Sequence, residues 1–220
     1  MYKRQLMKIA IISAAFAGLF YVPSASAVVI GGPSNIISET RDLAAFNSAI
    51  VVDDSFQRVD FVLSGTQPIL DVSLLANLSA SGGSIDGDGS IDSTNNPFLN
   101  ELILTLISPQ GSSLELVSES TYTSGGSGSE LVELLFQDGG ASQGGVDLSP
   151  GTFAPAGGSF SVFDGESPNG IWSLVIEDTV GADPKSLNGF TINVETAPVP
   201  EPSTSLLFAL GAFGLVWRRR

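Results

Sequence analysis

Apolar and polar residues alternate with a period of two along much of the chain. In Asp71–Leu78, Val72, Leu74, Ala76 and Leu78 share one face; in Glu101–Ile107, Leu102, Leu104 and Leu106 oppose Ile103, Thr105 and Ile107. Trp172, Leu174 and Ile176 alternate with Ser173, Val175 and Glu177, and Phe190, Ile192 and Val194 with Thr191, Asn193 and Glu195. This is the signature of strands half-buried against a second layer. Shorter stretches of the same kind are Ala49–Val52, Val59–Leu63, Ser113–Val117, Leu131–Phe136 and Ser159–Phe163. Turn-forming residues separate them: Ser108-Pro109-Gln110-Gly111, Ser124-Gly125-Gly126, Asp138-Gly139-Gly140, Ser167-Pro168-Asn169-Gly170 and Asn188-Gly189. The pattern predicts an all-β, jelly-roll-like β-sandwich of about eight or nine strands. Asp42–Ser48 is the one candidate helical turn, and residues 28–45 read as a leader ahead of a domain at 46–196.

The two ends break the alternation and read as addresses. Lys3, Arg4 and Lys8 precede the apolar run Ile9–Tyr21, Pro23 ends it, and Ala25-Ser26-Ala27 supplies the small residues a signal peptidase requires. Residues 1–27 are therefore read as a signal peptide. At the other end, Val199-Pro200-Glu201-Pro202 precedes an apolar stretch, Ser203–Trp217, and the basic tail Arg218-Arg219-Arg220. As a helix, that stretch would span roughly 22 Å against a hydrocarbon core of about 30 Å, making a short transmembrane helix. The arginines should stay cytoplasmic. This three-part ending, residues 197–220, resembles the PEP-CTERM sorting signal of Gram-negative bacteria that make extracellular polysaccharide. The resemblance implies a transient stay in the inner membrane, processing by an exosortase-like enzyme, and delivery to the cell surface or extracellular matrix.

Composition narrows the chemistry. The 220 residues include no His and no Cys. Ser-His-Asp triads, cysteine nucleophiles, disulfides and imidazole or thiolate zinc sites are excluded. Residues 28–197 hold three basic residues, Arg41, Arg58 and Lys185, against 22 acids, a net charge of −19. Such a body repels phosphate backbones, which speaks against nucleic-acid binding, and attracts divalent cations.

Within the body, Leu102 to Gly111 reads as a strand ending in a Ser-Pro-x-Gly turn. Phe163-Asp164-Gly165-Glu166-Ser167-Pro168-Asn169-Gly170-Ile171-Trp172-Ser173-Leu174 runs on to Asp178, and Gly181-Ala182-Asp183 leads to Leu187-Asn188-Gly189-Phe190. Over roughly residues 46–195 this resembles the P domain (Homo B domain), a β-sandwich found behind the subtilisin-like catalytic domain of proprotein convertases. The resemblance implies a non-catalytic module, and it implies calcium held by Glu101, Glu166 and Asp178, with Asp183 nearby. Oxygen-rich loops suit that ion.

Other candidates carry less. Ser84–Asp92 places oxygen side chains at positions 86, 88, 90 and 92, but Ile91 and Pro97 stand where an EF-hand needs Gly and Glu. It reads as a flexible, solvated hairpin loop within an insertion at 79–98. Trp172 and Phe190 alternate with the apolar faces of their strands, so they read as core rather than as a sugar platform. Lys185, between Pro184 and Ser186, reads as part of a polar turn. The resulting expectation is a non-enzymatic, exported surface or matrix protein. The alternatives are a polysaccharide-binding or carbohydrate-active protein, and an accessory acting in trans with a subtilisin-like serine endopeptidase. Cleavage after Ala27 predicts a mature chain beginning at Val28; N-terminal sequencing of the secreted product should return Val28, and a product beginning at Met1 would contradict the signal.

Overall fold

A computed structural model describes residues 27–29 and 35–199. The signal segment up to Ser26, and the tail from Pro200 with its apolar stretch and arginines, lie outside the described residues. The chain forms the two-sheet β-sandwich that the alternation predicts. The strands are β1 (Ala27–Val29), β2 (Asn35–Asp42), β3 (Ile50–Val52), β4 (Ser55–Leu63), β5 (Ile69–Ala80), β6 (Leu102–Ile107), β7 (Ser113–Val117), β8 (Ser129–Ala141), β9 (Gly151–Phe153), β10 (Gly170–Asp178) and β11 (Lys185–Thr196). A seven-stranded sheet runs β1-β2-β11-β5-β8-β9, with β3 also paired to β11; a four-stranded sheet runs β4-β10-β6-β7. All pairs are antiparallel except β8 with β9.

Every second residue of the paired strands enters the space between the sheets. Val72, Leu74, Ala76 and Leu78 of β5 meet Trp172, Leu174 and Ile176 of β10 in one buried cluster. Phe61 of β4 and Phe190 of β11 join the sheets with ring centroids 5.0 Å apart. Trp172 lies edge-on to Phe163 at 5.3 Å, and its indole N–H donates to the Pro168 carbonyl at 2.9 Å, so its polar edge is satisfied in the core. Trp172 and Phe190 are thus core residues. Turn chemistry also holds at Ser108–Gly111, where Gly111 takes φ 90° and its N–H donates to the Ser108 carbonyl at 3.0 Å.

The structure departs from the sequence pattern in five places. Within the proposed leader at 28–45, residues 35–42 are a strand: β2 pairs along its length with β11, from Gly189↔Asp42 to Thr196↔Asn35. Its interior face carries Ile37, Glu39 and Arg41, and Arg41 Nε pairs with Glu39 Oε1 at 2.8 Å. Ser159–Phe163 is not a strand; Phe160–Phe163 is a 3₁₀ turn whose two phenylalanines, three apart, both enter the core, and Ser159 caps it by accepting from the Ser161 N–H. Asn188-Gly189 does not end a strand but forms a bulge inside β11. There Asn188 Nδ2 donates to Ser79 Oγ at 2.8 Å, and a Cβ on Gly189 would lie 2.6 Å from the Arg41 carbonyl oxygen. Asp138-Gly139-Gly140 likewise lies inside β8, where the pairing with Phe153 of β9 jumps from Phe136 to Ala141. Finally, the Ser84–Asp92 insertion is a tied hairpin, with Ile85 bridged to Ile91 and Ser84 Oγ donating to Asp92 Oδ2 at 2.8 Å.

The candidate helical turn at Asp42–Ser48 contains a 3₁₀ turn, Ala44–Phe46. Among the described residues, no helix is long and apolar enough to cross a membrane. The pairing of β2 generates a test. A chain lacking residues 35–42 leaves the edge of β11 unpaired and should lose cooperative thermal unfolding; melting within about 2 °C of the intact chain would show that the segment is a dispensable leader.

Candidate functional site

The antiparallel pairing of β10 with β6 sets Asp178 opposite Leu102. It thereby brings the end of β10 beside Glu101, the last residue of a short 3₁₀ turn, Leu99–Glu101. The chain then loops through Asp183 and enters β11 at Lys185. Three of the four acids proposed from sequence, Glu101, Asp178 and Asp183, converge here. They converge on Lys185, which lies 1% exposed at the mouth of the two sheets rather than in a polar turn. Its Nζ donates to the Asp183 carbonyl at 2.5 Å, to Asp183 Oδ2 at 2.8 Å and to Asp178 Oδ2 at 3.2 Å, and lies 3.7 Å from Glu101 Oε2.

The loop is fixed by further bonds. Phe98 N–H donates to Asp183 Oδ2, Thr179 N–H to the Glu101 carbonyl at 3.2 Å, and Ser81 N–H to the Pro184 carbonyl at 3.1 Å. Ala182 donates to Asp53 Oδ1 at 2.7 Å while held at φ 102°, a backbone region that costs a residue with a Cβ. The hub therefore ties the ends of β10 and β11 to β3, β5 and β6.

Glu166 does not belong to this group. It precedes β10, whereas Asp178 ends it, and the eight steps of that nine-residue strand, at about 3.3 Å each, put its two ends roughly 26 Å apart. Glu166 Oε1 instead accepts from Ser112 Oγ, and its backbone carbonyl accepts from Ile69 N–H at 2.9 Å. As a set, the four acids do not fit a single calcium ion. Among the described residues, no group of three or more His, Cys, Asp or Glu side chains is arranged to hold a metal. In the Ser84–Asp92 hairpin the acids serve the loop itself: Asp88 Oδ1 accepts from Ser90 N–H at 3.0 Å and from Ser90 Oγ at 2.6 Å, which holds its carboxyl below the usual range.

A second feature lies on the outer face of the seven-stranded sheet. Cross-strand rows there are Ser38–Asn193–Ser73, Thr40–Thr191–Leu75 and Asp42–Gly189–Asn77–Glu133. A shallow cleft of about 460 Å³ opens over the last two of these rows, lined among others by Thr40, Asp42, Asn77, Asp88, Glu133 and Thr191. Phe46, the last residue of the 3₁₀ turn whose Ala44 and Ala45 line the cleft, is 75% exposed. Nothing in the strand alternation marked this cleft, because it needs β2, the Asn188 bulge and the hairpin tip to come together.

Comparison with known families gives two matches. Residues 92–194 match the proprotein convertase P-domain, and residues 198–220 match the PEP-CTERM protein-sorting motif. The P-domain match starts well after residue 46, so β2 to β5 lie outside the matched stretch although they complete the sandwich. No curated protein matches the chain.

The hub has an electrostatic consequence. Burial pushes the Asp178 carboxyl up to about 6, against the pull of Lys185. Burial, together with the charge of Asp183, also raises Glu101. Since an unfolded aspartate titrates near 3.9, the folded state binds the extra proton between about pH 4 and 6. The stability this group contributes is complete below that window and is lost as pH rises through it. Melting temperature should therefore show a downward component from pH 4 to pH 6.5 that Asp178→Asn removes. An unchanged pH slope in the variant would contradict the assignment.

Proposed function

We propose that this chain, whose body carries a P-domain and whose end carries a PEP-CTERM motif, is a non-enzymatic module exported by a Gram-negative bacterium for display on its surface or in its polysaccharide matrix. The observation that carries this reading is the junction between the two. The last strand ends at Thr196 and the sorting motif begins at residue 198, so the sandwich is the cargo that the motif addresses. A motif of this kind implies processing by an exosortase-like system. P-domains are the non-catalytic accessory domains of proprotein convertases, and the chemistry of this chain agrees with that role. It has neither His nor Cys, and among the described residues its one buried amine is engaged by carboxylates.

A second reading, polysaccharide binding, is favoured by the outer cleft. Hydroxyl, amide and carboxylate groups on the sheet suit the hydroxyls of a glycan, and the exposed Phe46 ring on the adjoining 3₁₀ turn offers a face for a sugar ring. The buried Trp172 contributes nothing to such a surface.

Removing residues 198–220 should leave the melting temperature of the domain unchanged while abolishing its delivery to the surface, followed by fractionation of the producing cells. A truncated chain still delivered normally would overturn the sorting role. For the cleft, co-sedimentation with the organism's own extracellular polysaccharide should fall about tenfold in a Phe46→Ala, Asn77→Ala double variant, a loss of roughly 1.4 kcal/mol. Equal retention would leave the cleft without a role in binding.

A further inference from the structure

The acid hub pairs three carboxylates with one internal cation. Oxygens from Asp183, from its backbone carbonyl, from Asp178 and from Glu101 surround a single point. That point is occupied by Lys185 Nζ, carried there by a side chain buried between the sheets. We propose that the Lys185 ammonium serves as a built-in cation in place of a divalent metal, so that this end of the sandwich closes without calcium and stays closed when calcium is absent.

Three observations carry this. First, the ammonium reaches both aspartates and the Asp183 carbonyl at hydrogen-bonding distance, so all three of its donors have acceptors. Second, the carboxylates come from separate segments: Glu101 precedes β6, Asp178 ends β10, and Asp183 lies in the following loop. Cross-linking separate loops is what a structural ion does, and here a covalently tethered charge does it. Third, the hub is over-supplied with negative charge. Glu101 Oε2 is buried without a hydrogen-bond partner and stands farthest from the ammonium. A tethered charge also avoids dilution, since its effective concentration does not depend on the medium.

The test is a set of thermal melts of the purified, exported protein in calcium chloride, in sodium chloride of matched ionic strength, and in chelator. The wild-type chain should melt at the same temperature in all three. A calcium-specific rise that Asp178→Asn abolishes would overturn the proposal, because a metal would then share the hub. Lys185→Ser vacates the centre and keeps the oxygens. It should melt about 5 °C or more below wild type in chelator, and calcium, but not sodium, should restore part of the loss. A variant that melts like wild type, or one that calcium does not restore, would overturn the proposal. Glu101→Gln keeps the ammonium and removes only the excess charge, which guards against a Lys185 variant that fails to fold. It should melt at or above the wild-type temperature with or without calcium; a fall confined to calcium-containing buffer would count against the built-in cation.

Discussion

Burying a lysine ammonium between two β-sheets costs several kcal/mol unless opposite charge and hydrogen-bond acceptors meet it there. Lys185 is met by both, and much of the architecture follows from that constraint. The amine must lie where β10 ends and β11 begins, because Asp178 and Asp183 frame that connection. Glu101 must stand beside Asp178, which the β6–β10 register ensures. The loop between the strands must then turn sharply enough to return to the second sheet, and Ala182 accepts an unfavourable backbone angle to do so. A body with net charge −19 thus uses one of its three basic residues as an interior pin.

The sandwich separates this pin from the surfaces available to partners. Its centre is apolar and aromatic, with Phe61 against Phe190 and Trp172 against Phe163. The outer face of the seven-stranded sheet carries polar cross-strand rows, and its cleft is built over β2, β5, β8 and β11. A fold closed by its own cation at one end, and paired across a broad seven-stranded sheet, suits a protein delivered outside the cell. There the ionic medium is not controlled, and cysteine cross-links are absent from this chain.

Where the solvent face is polar and the inner face apolar, the sequence alternation reports the strand directly. Ser113–Val117 has the same limits in structure as in pattern, and Asp71–Leu78 is extended by only two residues at each end. The alternation fails where charge turns inward. Glu39 and Arg41 occupy the inner face of β2, so that strand reads as polar coil. Lys185 reads as a turn residue for the same reason, since its burial depends on acids 2, 7 and 84 residues away in sequence. Glu166 and Asp178 look alike as loop acids flanking one strand, but a strand places its two flanks at opposite ends of the sheet. The PEP-CTERM ending was legible because it is a linear signal, whereas the cleft was not, because it is assembled from five separate segments.

The central claim is that the ammonium and the acids of the hub form one unit, so that each costs more when the other is missing. A double-mutant cycle between Lys185→Met and Asp178→Asn, read from denaturant unfolding, measures this directly. If the hub is one unit, Lys185→Met alone destabilises the protein by about 3 kcal/mol or more, and adding Asp178→Asn recovers a substantial part, giving a coupling energy above about 1 kcal/mol. Strictly additive losses would mean that Lys185 and Asp178 are merely neighbours, and would contradict the account.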